Sequence, residues 1–467
     1  MNMVRFTFIL ISKDLRLEWR SKEVLSSTVF FAMIALTVIY FGFQPGRFQV
    51  ADVGPGILWT AFLFSALLGM NRMFQAESER GGLEGLMLCP IDRTTLYLAK
   101  CGTLFVLLTT TIVATFFMFI IFFNVRLLGQ LPQLALVAIL GSLGLSALGT
   151  SFAAMAAKTS ARDILLPLLL VPIAIPLLIA AVKCTAAILA GDGLTTAQSW
   201  VQLLAAFDVI FLAAGYLTFP AILEEEHLTR DHSLNPPTTP SSALVGAALV
   251  TTLLALYSAL VFAPTDRVQG DVQRLFYLHV PAALTMYLAI LLVFIASLRY
   301  LQTRDAAWDE LATSGAEIGL LWGTIVLLTG AMWAKPIWGA WWTWDARLTS
   351  FFILWLIFVA YVMLRSYGGE VEQVARFCAV LSILGFVGMP ITHYAVEWFR
   401  TMHPGPVIMT EGGLGRGLPG SMLATFAFGL VASVVLFANL FILRLRLEQQ
   451  SRRTQQIRRH LDLMETS

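Results

Sequence analysis

Long apolar runs recur along this chain with only short polar stretches between them, and that pattern leaves few folds open. Lipid offers no partner for backbone N–H and C=O groups, so a crossing segment must be a helix of about 20 residues or belong to a closed barrel. Twelve runs reach the helical length, in two groups of six. The first group is approximately 24–43, 53–70, 102–123, 133–157, 164–182 and 203–223. The second is approximately 243–263, 281–298, 316–334, 350–364, 377–393 and 419–443. The expected fold is an all-α polytopic membrane protein. Composition agrees, with 13% charged residues where a soluble domain carries roughly a quarter.

Between the groups, residues 224–242 run from Glu-Glu-Glu-His into Asn-Pro-Pro-Thr-Thr-Pro-Ser-Ser. Charged, then rich in proline and hydroxyls, without an apolar face, this stretch has the composition of a linker. The expected division is a six-helix domain at 1–223, the linker at 224–242, a second six-helix domain at 243–445 and a basic tail at 446–467.

Lysine and arginine are retained on the cytoplasmic side of short loops, which sets orientation. With the N-terminus inside, the first group has twelve basic residues in the cytoplasm and three (Arg47, Arg126, Lys183) outside. Six crossings return the linker to the cytoplasm, and the basic run Arg444–Arg459 keeps the C-terminus there too. In the second group the bias weakens to ten inside and six outside: Arg267, Arg274, Lys335, Arg347, Arg400 and Arg416. Anionic groups on a ligand at the outer face would account for that excess.

Several chemistries drop out. The four cysteines are dispersed and suggest neither a zinc site nor a disulfide framework. No Cys-x-x-Cys-His run exists for covalent haem attachment, and no Walker A pattern for ATP hydrolysis, so an ATPase must be another subunit. No catalytic residues and no nucleic-acid partner are expected. The apolar run Phe6–Ile11, followed by Lys13, Asp14, Arg16 and Arg20, is too short for a cleaved signal peptide.

The densest local signal is Ile337–Thr349. Trp338, Trp341, Trp342 and Trp344 fall within seven residues and are followed by Asp345 and Arg347. A membrane-interface belt explains one or two tryptophans. Four, joined to an acid and a base, favour a platform for a large flat apolar ligand. His279 and His393 belong at the same outer depth. Each alone is compatible with a hydrogen-bonded interfacial histidine; together, on separate helices, they could supply both axial ligands of a haem iron. His403 is external too, further from its span. Arg274, Lys335, Arg347 and Arg400 are candidate partners for haem propionates, with lipid headgroups as the alternative. Asp345 suits a loop organiser better than a ligand.

In the first half, the cytoplasmic loop at 71–100 mixes charges with Leu83, Leu86, Met87 and Leu88. It could form a short helix that docks on a soluble partner, or a solvated connector. Asp208 is an intramembrane acid without a visible basic partner, a functional candidate by default.

Residues 270–443 resemble cytochrome c maturation protein C. The resemblance rests on Phe276-Tyr-Leu-His-Val-Pro281, Trp338-Gly-Ala-Trp-Trp-Thr-Trp-Asp-Ala-Arg-Leu-Thr349 and Ile391-Thr-His-Tyr-Ala-Val-Glu-Trp398. Residues 1–223, with Glu79-Arg-Gly-Gly-Leu-Glu-Gly-Leu86, resemble cytochrome c maturation protein B, a permease-like subunit. Phe399 departs from the second Trp expected there. The resemblance implies a fusion of two subunits in a bacterial inner membrane. It implies haem b held non-covalently at the periplasmic face, with His279 and His393 as axial ligands and Trp338, Trp341, Trp342, Trp344 and Asp345 as platform. It also implies partners: a membrane-anchored periplasmic haem chaperone, a small single-span accessory subunit, and an ABC ATPase docked on Arg80, Leu83, Glu84 and Leu86. ATP hydrolysis in that subunit would release the loaded chaperone.

Three rivals compete. A haem-lyase-type cytochrome c synthase of the same tryptophan-rich family would carry further histidines and larger external domains. A b-type electron carrier would place its histidine pairs within spans. An ABC exporter permease for another substrate would leave the tryptophan loop without a task.

Overall fold

The computed structural model describes residues 2–42, 49–78, 85–86, 89, 91–125, 128–159, 162–223, 242–367, 371–398, 401–405, 409–410, 413–414 and 418–465. Twelve helices among these are long and apolar enough to cross a membrane, as the apolar runs required. The fold is all-α apart from a two-residue β-ribbon, Met409–Thr410 against Gly413–Leu414. The linker, save Ser242, lies outside the described residues. Two compact units form: residues 1–226 with 367–373, and residues 227–366 with 374–467.

In the first unit, α1 (Asn2–Ser21) precedes six spanning helices: α2 (Glu23–Gly42), α3 (Val50–Ser78), α4 (Arg93–Phe123), α5 (Leu131–Ala157), α6 (Arg162–Ala190) and α7 (Gln198–Leu223). Helix α4 starts at Arg93, well ahead of its apolar stretch, because a local cap begins the helix before the lipid-compatible run. Asp92 does this for α4, its carboxylate accepting the Thr94 amide at 3.3 Å. Helix α5 packs on α4, α6 and α7. Its small residues permit close approach: a Cβ at Gly141 would fall 2.5 Å from the Trp59 ring.

The second unit contains α8 (Ser242–Tyr257), α9 (Phe276–Thr303), α10 (Ala306–Trp338), α11 (Ala346–Tyr367), α12 (Val371–Phe386), α13 (Gly388–Trp398) and α14 (Gly420–Glu465). A π-helical turn, Ser258–Phe262, extends α8, and a 3-10 turn, Asp271–Leu275, leads into α9. Helices α9 and α10 pair most closely, and α14 packs on α8, α9 and α10.

The two ends of this unit differ in chemistry. At one, the Asp309 carboxylate on α10 accepts from two guanidiniums, Arg365 near the end of α11 and Arg452 on α14. Nearby, Arg444 grips Glu317 through two nitrogens. Both guanidiniums at Asp309 are paired with that acid, as burial of charge demands, while Arg365 Nε has no hydrogen-bond partner among the described residues. The opposite end carries the start of α9, the end of α10, the start of α11 and the end of α13. It holds the tryptophans and histidines.

Candidate functional site

Helix α10 stops where the tryptophan loop begins, and a glycine makes the stop. Gly339 has φ +76°, a left-handed conformation that side chains disfavour, and its amide donates to Lys335 O at 3.0 Å. Lys335 closes the same turn, its ammonium donating to Gly339 O at 2.9 Å. At the far side of the loop, Asp345 Oδ1 accepts the Leu348 amide at 2.9 Å and starts α11. The loop is thus pinned at both ends.

Between those pins the aromatic rings are presented outward. Trp341 is 59% exposed and Trp344 75%, large apolar faces that a folded chain ordinarily covers. Trp342 meets Trp344 edge-on at 5.9 Å and Phe352 at the same spacing. Beneath them lie four buried polar atoms without a hydrogen-bond partner among the described residues: Trp342 Nε1, Thr343 Oγ1, Asp345 Oδ2 and Thr349 Oγ1. Native interiors rarely leave such groups unpaired, and four in eight residues mark a place prepared for something else.

His279 lies in the first turns of α9. Its Nδ1 is 3.0 Å from Thr329 Oγ1, and the ring meets Trp333 edge-on at 5.8 Å. Thr329 donates its proton to Ile325 O at 2.7 Å, so toward the imidazole it accepts. Nδ1 therefore carries the proton and Nε2 keeps its lone pair, the tautomer a metal ligand needs. The spanning helix begins at Asp271, earlier than the apolar run suggested, so His279 sits inside it instead of at its edge.

His393, on α13, is exposed, its ring against Tyr394 at 5.0 Å and Tyr287 at 6.3 Å. The Arg347 charge acts on Tyr287, His279 and His403. Burial, with the Arg347 charge second, pushes the His403 imidazole down to about 4. Arg347 thus acts electrostatically on Tyr287 and on both imidazoles, and His393 packs on Tyr287.

Two other candidate cations have structural partners. Arg274 binds Asp271 at 3.1 Å, Ala259 O at 2.6 Å and Ala263 O at 3.2 Å, clamping the end of α8 to the turn before α9. Lys335 serves the α10 terminus, as described. Arg400 lies outside the described residues. So do Arg80, Leu83 and Glu84 of the 71–100 loop, where Leu86 is half-buried. Asp208 is buried on α7 with neither carboxylate oxygen hydrogen-bonded among the described residues, and a Cβ at Gly144 would lie 2.6 Å from it.

Sequence reasoning passed over Thr329 and Tyr287. Tyr287 follows His279 by two helical turns, which puts both on one face of α9, a periodicity that could have flagged it.

A model of the heme exporter protein C family matches residues 232–460, and a CcmB protein model matches residues 5–226. Over 224 residues the chain is 33% identical to heme exporter protein C of Bradyrhizobium diazoefficiens, covering 48% of this chain and 82% of that protein. It is 33% identical to the Escherichia coli K12 protein of the same name over 185 residues, 40% of this chain and 74% of that one. The Paracoccus denitrificans protein gives 33% over 216 residues, 45% and 86%. The chain belongs to the heme exporter protein C family. A CcmB region precedes that part in the same polypeptide, the fusion that the sequence resemblance implied. It is a haem-handling, multi-pass membrane component of cytochrome c maturation. The tryptophan loop, His279, His393 and Arg347 all lie within its heme exporter protein C part.

Proposed function

We propose that the second unit holds haem b non-covalently at the periplasmic face and presents it to a membrane-anchored chaperone. His279 and His393 are the axial ligands, and Trp338, Trp341, Trp342 and Trp344 are the shelf under the porphyrin. Asp345 keeps the shelf in place by capping α11, and its free oxygen, with Trp342 Nε1, Thr343 and Thr349, offers polar contacts. Arg347 is the best-placed propionate partner. Its charge acts on a tyrosine and two histidines of the site, whereas Arg274 and Lys335 are engaged in loop and helix-end bonds; Arg400 completes the candidate set. The observation that carries this reading is the His279–Thr329 contact, which leaves Nε2 free beside exposed tryptophans.

The CcmB part docks an ABC ATPase through Arg80, Leu83, Glu84 and Leu86, and hydrolysis there releases the loaded chaperone. Both termini are cytoplasmic in a bacterial inner membrane, a small single-span subunit completes the assembly, and no bond chemistry falls to this chain. Charge reversal at Arg80 together with Glu84 should reduce co-purification of the ATPase. The central test is a haem titration of His393→Ala. The variant should lose the low-spin six-coordinate spectrum and bind more weakly. An unchanged spectrum with unchanged affinity would remove His393 from the site.

A further inference from the structure

Helix α1 sorts its charges by side, and the haem reading gives that pattern no task. Both of its acids turn toward the protein. Asp14 pairs with the buried Lys100 at 2.8 Å, and the Glu18 carboxylate accepts the Leu25 amide at 2.8 Å. Arg5, Arg16 and Arg20 are exposed, and none forms an ion pair among the described residues. Their helical spacing puts them on one side of α1, opposite Leu10, Asp14 and Glu18. A groove follows that side along the helix, lined by Arg5, Phe8, Ile9, Arg16, Leu17 and Arg20. Phe8, Leu17 and Trp19 are exposed as well. A helix that only shielded the bundle would gain nothing from a face of arginines and large apolar side chains that is free of acids.

The corner into α2 decides what can lie on that face. Lys22 alone separates α1 from the spanning α2, in the left-handed region at φ +53°. Its amide donates to Glu18 O at 2.6 Å, and its carbonyl accepts the Ser26 amide at 3.1 Å. The Glu18 side chain closes the same corner on Leu25. With so short and so bonded a connection, α1 stays at the depth where α2 enters the bilayer, which is the headgroup level. Aromatic rings sit well at the acyl boundary there, and guanidiniums sit well on lipid phosphates.

We propose that this face of α1 binds the phosphates of acidic phospholipids in the surrounding bilayer, which hold the helix against α4. The proposal is independent of the haem reading. Each guanidinium can give a phosphate two N–H donors, and the negative surface adds an attraction that one isolated contact lacks. An acidic soluble protein could match the arginines, but it would compete with lipid that meets the same face at all times.

The test uses the whole chain in nanodiscs of phosphatidylcholine alone, or of phosphatidylcholine and phosphatidylglycerol in equal parts. Hydrogen–deuterium exchange read by mass spectrometry reports the protection of α1. Each basic side chain near an acidic surface contributes roughly fivefold, so α1 should exchange at least about tenfold more slowly in the acidic bilayer. The spanning part of α4 should exchange alike in both. Arg5→Gln/Arg16→Gln/Arg20→Gln should abolish the difference between bilayers, whereas lysine at all three positions should keep most of it. The proposal is overturned if α1 of the parent exchanges equally in both bilayers, or if the glutamine variant keeps the difference. Should that variant fail to fold, the parent in about 1 M salt gives the same comparison, because screening removes the attraction. Protection that appears only with co-purified subunits, in either bilayer, would assign the face to a protein and overturn the proposal too.

Discussion

His279 Nδ1 and Thr329 Oγ1 lie 3.0 Å apart, joining α9 to α10 at the base of the tryptophan loop. The hydroxyl proton is committed to Ile325 O, so Thr329 fixes which imidazole nitrogen faces the site. Outer-shell partners of this kind typically change metal affinity by about 10–100-fold. Thr329→Val keeps the shape and removes the acceptor, and it should weaken haem binding by that order in an equilibrium titration. Thr329→Ser should bind nearly as the parent does. Equal affinity for the valine and serine variants would show that the contact is packing alone.

Asp309 holds the opposite end of the same unit through Arg365 and Arg452. Removing the acid leaves Arg365 without its carboxylate, while Arg452 keeps Glu448 at 3.3 Å, and breaking a buried pair typically costs about 3–5 kcal/mol. Asp309→Ala should therefore lower the unfolding midpoint in mixed micelles markedly, while a protein still folded keeps its haem spectrum. A loss of haem without loss of stability would point to coupling between the ends instead of a local clamp.

The spans were legible because lipid enforces one rule, helical hydrogen bonding over a fixed apolar length, and twelve runs obeyed it. The tryptophan loop and its two histidines stood out because such residue types are scarce in an apolar chain. What stayed hidden depends on distance in space. Thr329 looks like any threonine of a membrane helix until α9 brings His279 against it. Arg274 and Arg347 look alike in sequence, yet one is spent on loop carbonyls and the other acts on a tyrosine and two imidazoles. Helix α1 was missed for a different reason. Its apolar residues follow a helical stripe interrupted by charges, so a ruler built for spans passed over it.

The neutral state of His403 makes the site acid-sensitive. Its folded pKa is lowered to about 4, against about 6.5 in an unfolded chain. Between those values the unfolded chain binds a proton that the folded one refuses, so this group costs stability as pH falls through that window and nothing above it. Thermal stability should decline from pH 6.5 toward 4, and His403→Gln should flatten part of that slope. The Arg347 charge supplies some of the shift, so Arg347→Gln should raise the folded pKa toward the unfolded one and make the decline smaller, ending at a higher pH. Identical pH profiles for parent and His403→Gln would contradict the assignment.

Helix α1 supplies the last expectation. It is amphipathic, with Leu10 buried, while Val4, Phe8 and Trp19 are exposed. Its attachment to α4 is short. Asp14 pairs with the buried Lys100 at 2.8 Å, and Ile11 packs where α4 has Gly102, whose added Cβ would lie 2.7 Å from the isoleucine. Local opening of such an element needs less free energy than global unfolding. A hydrogen bond between charged groups contributes about 1.5–3 kcal/mol, so Asp14→Ala should raise the open population of α1 more than tenfold. Limited trypsin digestion should then cut at Lys13, Arg16 or Arg20 correspondingly faster, with the remaining helices no more susceptible than before. Faster cutting throughout the chain would mean that α1 stabilises the whole first unit. Unchanged cutting at those sites would mean that the Ile11–Gly102 contact alone holds the helix down.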